Sequence, residues 1–162
     1  MAEELGQLAL ALGEALQTRG ARLAVAESCT GGLICKLITD IGGSSDWFER
    51  GFITYANEAK IEMLGVSAGT LARHGAVSEQ TLREMLRGVL QHSSADWAAA
   101  VTGIAGPGGG SAGKPVGLVH LGWQAREGVA TAQRHQFSGD RAAVRAAAAR
   151  AVLAGLLKNL GR

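Results

Sequence analysis

Leucines at positions 5, 8, 12 and 16 recur every three or four residues between 3 and 18, with Glu3, Glu4 and Glu14 interspersed. That period predicts an amphipathic helix, and Gly20 ends it. ARLAVAES (21–28) is a short, continuous apolar run and reads as a buried strand; LICKLITDI (33–41) reads as a helix that begins at Thr30 or the glycines after it. Gly42 to Ser45 form a loop, 50–55 a strand with β-branched and aromatic residues, and 57–64 a short helix closed by Gly65. Ser78 then caps a longer helix whose Leu82, Met85, Leu86, Val89 and Leu90 make one apolar face. WAAAVTG (97–103) reads as a central strand, 103–115 as a long glycine loop and 116–125 as another strand. Gly128 turns the chain into VATAQRHQF, a hairpin partner, and Asp140 caps an alanine-rich helix to about Leu160.

These elements mix strand–helix–strand crossovers with one hairpin. The expected fold is α/β: a three-layer α/β/α sandwich on a mixed, mostly parallel five-stranded sheet, with 1–162 as a single domain. A content of 47% hydrophobic against 19% charged residues places the chain among globular proteins rather than disordered ones. Its formal charge of +2, with the basic residues dispersed, argues against a nucleic-acid partner. No signal peptide or long apolar span is evident, so no membrane partner and a cytoplasmic location are expected. Cys29 and Cys35 lack a second pair, and His74, His92, His120 and His135 stand apart in sequence. Neither a disulfide framework nor a metal motif follows, and no cofactor is expected. The alanine-rich last helix could pack tightly against a partner copy, so a homo-oligomer is expected.

Chemistry concentrates at AESCTGG (26–32), where a strand turns into a helix. A hydroxyl there can cap the helix, help cradle an anion or act as a nucleophile, and the local pattern leaves these three open for Ser28 and Thr30. Cys29 has no nearby histidine in sequence to make a thiolate and reads as a small buried residue. The glycine loop contains Gly108, Gly110 and Gly113 at dinucleotide-fingerprint spacing and nearly completes a P-loop at Lys114, but Pro115 stands where the P-loop needs Ser or Thr. Both fingerprints also require a helix next, whereas a strand follows. Tyr55 and Lys60 in YANEAK are one residue too far apart for the Tyr/Lys pair of short-chain dehydrogenases.

Taken in order, AESCTGG, GGSSDWFERGFITYANEAK, TGIAGPGGG, KPVG and FSGDRAAVR resemble the CinA C-terminal domain family from about Leu5 to Leu157. The larger N-terminal domain carried by many members is not expected here. The resemblance implies metal-free hydrolysis of the carboxamide of nicotinamide mononucleotide, a small-molecule nucleotide substrate, to nicotinate mononucleotide and ammonia. It implies Ser28 as nucleophile, Lys60 as base and Tyr55 in support. On the same basis Thr30, Gly31, Thr102 and Gly103 would shape the substrate pocket, joined by Ser44 or Ser45. Arg141 and Arg145, one turn apart at the start of the last helix, are candidates for the nucleotide phosphate. The expected donors for the developing oxyanion are the N–H groups of the helix after Ser28. The alternative is a non-catalytic nucleotide-binding or regulatory module with the same pocket; a phosphate-transferring enzyme lacks an evident acidic metal-binding pair.

Overall fold

The computed structural model describes residues 1–161. Its elements are α1 (Ala2–Thr18), β1 (Leu23–Glu27), α2 (Leu33–Thr39), a short 3₁₀ turn (Ser44–Asp46), β2 (Phe48–Ile53) and α3 (Asn57–Leu64). There follow α4 (Ala68–His74), α5 (Glu79–Gln91), β3 (Trp97–Gly103), β4 (Leu118–Ala125), β5 (Thr131–Gln136) and α6 (Arg141–Asn159). The five strands form one sheet in the order β2-β1-β3-β4-β5. β1 pairs in parallel with β2 and β3, whereas β4 is antiparallel to both β3 and β5, so four of the five strands run the same way.

Pleating makes the sheet two-sided. Leu23 and Val25 of β1, with Ala99 and Val101 of β3, face a core built with α1, α2 and α6; Ala24, Ala26, Ala98 and Ala100 face a second core built with α3, α4 and α5. The alanines keep the second layer close to the sheet. Gly88 serves the same end, because a Cβ there would lie 2.1 Å from the Leu64 carbonyl oxygen, and its absence lets α5 press against the end of α3. α3 carries Lys60, so this contact bears directly on the site.

Two differences from the sequence reading have clear causes. α4 is not signalled by hydrophobic period, being only seven residues with Gly69 in its first turn; the Ser67 hydroxyl caps it by accepting from the Gly69 and Thr70 N–H groups. β2 stops at Ile53, so Tyr55 lies beyond the strand rather than at its end. The alanine-rich α6 packs within the chain against α1 and β4, with Ala148, Ala149, Val152 and Leu153 in the core. No helix of the described residues is long and apolar enough to cross a membrane.

Candidate active site

β1 delivers Ser28 to the carboxyl end of the sheet. Successive residues point to opposite faces, so Glu27 turns toward the α2 layer and Ser28 toward the α3 layer. There the Ser28 hydroxyl oxygen lies 3.0 Å from Lys60 Nζ, across 32 residues of chain. The remaining neighbours of Nζ are the backbone carbonyls of Thr54, at 2.9 Å, and Tyr55, at 3.2 Å.

Lys60 is 1% exposed and forms no salt bridge among the described residues. Burial therefore lowers its pKa below the ordinary lysine value. A neutral amine has two N–H bonds and one lone pair. Charged, Nζ donates to Ser28 Oγ as well as to the two carbonyls; were it neutral, the carbonyls would accept both N–H bonds and leave the lone pair facing the Ser28 hydroxyl. Next to this pair, Cys29 is driven the other way: burial pushes its thiol up to about 11, which keeps it protonated and a poor nucleophile near neutrality.

Ser28 and Lys60 open into a cavity of about 260 Å³ bounded by Tyr55, Thr102, Gly103, Gly106 and Arg141. Thr102 is 1% exposed, and its hydroxyl donates to the Ala76 carbonyl, tying the end of β3 to the chain between α4 and α5. Gly103 is required by close approach, since a Cβ would meet Val119 at 2.7 Å. The Arg141 guanidinium reaches over the rim, donating to the Gly106 carbonyl at 2.9 Å and the exposed Tyr55 hydroxyl at 3.0 Å. Beyond Arg141 lies a larger, more apolar cavity of about 650 Å³, walled by Pro107, Val116 and Ala142.

Of the other residues singled out in the sequence, Gly31 and Arg145 line an adjoining hollow of about 310 Å³ with Cys29, Tyr55 and Arg141, and the rest fall elsewhere. Arg145 donates to the carbonyls of Cys29 and Thr30, so it grips the turn after Ser28 from outside. Gly31, at φ 57°, lies beside that guanidinium, and Thr30 is fully buried with its hydroxyl unpartnered among the described residues. Ser44 and Ser45 are not brought to Ser28 at all. They precede β2, and the Trp47 carbonyl just after them receives the N–H of Leu23 at the start of β1. The length of β1, on the order of 15 Å, separates them from Ser28. A parallel crossover must return the chain to the opposite end of the sheet, which is the physical reason.

The expected oxyanion donors also differ. α2 begins five residues after Ser28, and its Ile34 and Cys35 N–H groups are taken by the Glu27 carboxylate at 3.0 and 2.9 Å. The N–H groups of Cys29 and Thr30, in the turn itself, bond to no other backbone group among the described residues. Glu27 is thus a site residue that the sequence reading missed; a charged residue closing an apolar strand was the available signal. Among the described residues no cluster of three His, Cys, Asp or Glu side chains is arranged to hold a metal ion.

Comparison with known proteins bears on this geometry. Residues 5–160 match the CinA C-terminal domain. The chain belongs to that family. Within it, the chain is similar to the nicotinamide-nucleotide amidohydrolase PncC of Enterobacter agglomerans, with 56% identity over 147 residues that cover 91% of this chain and 90% of the relative. The PncC of Escherichia coli K12 is 56% identical over 142 residues, covering 88% and 86%. Among solved structures of the CinA family, the competence/damage inducible protein CihA of Agrobacterium tumefaciens superposes with a TM-score of 0.94 at 46% identity, covering 98% of this chain and 96% of that one.

Proposed function

We propose that this protein is a nicotinamide-nucleotide amidohydrolase that cleaves the carboxamide of nicotinamide mononucleotide through Ser28 and Lys60. The observation that carries the reading is the buried Ser28–Lys60 contact at 3.0 Å inside a pocket, in a chain 56% identical to PncC enzymes. Neutral Lys60 takes the proton of Ser28 as Oγ bonds to the amide carbon. The carbonyl oxygen becomes an oxyanion, and the Cys29 N–H at the pocket wall, which bonds to no backbone carbonyl among the described residues, is its donor in this reading. Collapse breaks the C–N bond, and Lys60 hands its proton to the departing ammonia. Water then attacks the resulting ester and gives its proton to the same amine. C–O cleavage returns Ser28 and releases nicotinate mononucleotide.

Tyr55 enters twice: its carbonyl helps orient Lys60, and its hydroxyl accepts from Arg141. Arg141 is the phosphate ligand in this reading, as its guanidinium stands at the rim held only by a carbonyl and an exposed phenol. Arg145 and Gly31 serve the turn instead. Incubation with nicotinamide mononucleotide and a coupled ammonia assay tests the proposal. Wild type and Cys29→Ala should both release ammonia. Saturable binding with no ammonia would replace the enzyme with a binding module, and a dead Cys29→Ala with an active Ser28→Ala would move the nucleophile.

A further inference from the structure

Glu27 is fully buried in an apolar layer, where a polar side chain is tolerated only with hydrogen-bond partners. It finds them at α2. Its two oxygens accept the N–H groups of Ile34 and Cys35, the second and third residues of the helix. Those are the donors that an N-cap side chain ordinarily serves. The N-cap position itself is Gly32, at φ 101°, which has no side chain to offer. At three other helices the residue in place does the work: Ser67, Ser78 and Asp140 each accept from the first turn of their own helices.

Capping from five residues upstream has two consequences. The orphan donors of α2 are satisfied without the hydroxyl of Ser28 or Thr30, so Ser28 stays with Lys60. The carboxylate also joins the start of the 28–32 turn to the helix at its end, while Arg145 holds the carbonyls between. We propose that Glu27 is the positioning residue of the nucleophile turn, capping α2 in place of a hydroxyl and thereby aiming Ser28 at Lys60. This rests on Ser28 being the nucleophile.

The role is geometric rather than electrostatic. Glu27 and Ser28 leave β1 on opposite faces, so the Glu27 carboxyl group points into the α2 layer and away from Lys60. Replacing the Glu27 carboxyl group should therefore leave the pH at which Lys60 titrates where it was.

Phenylmethanesulfonyl fluoride tests this without relying on the nucleotide substrate. It labels an activated serine whatever the natural amide is, so a failure to hydrolyse nicotinamide mononucleotide is read separately. Glu27→Gln keeps size but turns an N–H toward a backbone N–H; Glu27→Asp keeps the carboxyl group but withdraws it by one methylene. Both should label at Ser28 at least tenfold more slowly than wild type, at a temperature where circular dichroism shows them folded. The pH midpoint of labelling should not move. If Glu27→Gln does not fold, Glu27→Asp carries the test alone. Labelling of a folded variant at the wild-type rate, or a shifted midpoint, overturns the positioning role. Absence of Ser28 labelling in the wild type overturns the nucleophile reading and this inference together.

Discussion

Ser28 and Ser78 stand at similar junctions, each shortly before a helix, and are 7% and 6% exposed. Their hydroxyls nevertheless have different partners. Ser78 accepts from the Thr81 N–H at 3.1 Å and donates to the Gly75 carbonyl at 3.0 Å, which is a complete local cap. Ser28 caps nothing; the helix after it is served by Glu27, and its own neighbour is a lysine brought from another layer. One hydroxyl is committed to the fold and the other is left available for chemistry. The difference lies in what else reaches the helix end, not in the serine.

The largest effect should come from Ser28→Ala. Turnover of nicotinamide mononucleotide should fall by roughly a thousandfold or more, with little change in thermal unfolding, because no helix donor loses its acceptor. Retained activity would erase the distinction between the two serines. Lys60→Arg should be nearly as inactive, since an arginine stays charged near neutrality and cannot accept the serine proton.

The sign of the Lys60 pH dependence follows from its lowered pKa. In the proposed mechanism the neutral amine is the active form, so kcat/KM should rise with pH through that lowered pKa and then level. Stability should move the same way. Between the folded and unfolded pKa values the unfolded chain binds the extra proton, so this contribution grows with rising pH and is lost as pH falls through the folded value. Urea titrations of Lys60→Met and wild type over that range should diverge as pH falls, the wild type being penalised.

A second pair sharpens the contrast on the substrate side. Arg145 spends its guanidinium on the turn, whereas Arg141 bridges a loop carbonyl and an exposed phenol at the pocket rim. Arg141→Ala should lower kcat/KM for nicotinamide mononucleotide by roughly 10- to 100-fold and change that for the riboside little, because the riboside lacks the phosphate. Equal losses on both substrates would give Arg141 a structural role like that of Arg145. The smallest effect belongs to Ser78→Ala. It should cost about 1 kcal/mol of stability, seen as a lower unfolding midpoint, and leave kcat unchanged.

The elements were largely legible because each carries its own period or punctuation. Leucines every three or four residues in α1, the apolar face of α5 after Ser78, and Gly65 and Asp140 at helix ends mark structure through contacts only a few residues apart. α4 was missed because seven residues hold too little periodicity to stand out. Local pattern left Ser28 open between cap, anion site and nucleophile, and Lys60 and Tyr55 were singled out through the family resemblance; the glycine loop could be denied a nucleotide fingerprint, because a strand follows it.

Sequence patterning, acting through local spacing, determined which segments become helix and strand and that the chemistry gathers at AESCTGG. The tertiary structure decided who meets whom. Sheet order and pleat, set by packing across the whole chain, placed Lys60 beside Ser28 across 32 residues and carried Ser44 and Ser45 to the opposite end of the sheet. It also gave the two arginines different hydrogen-bond partners and gave α2 a cap from Glu27. Such partners are chosen by long-range distance and burial, and no short stretch of sequence contains either.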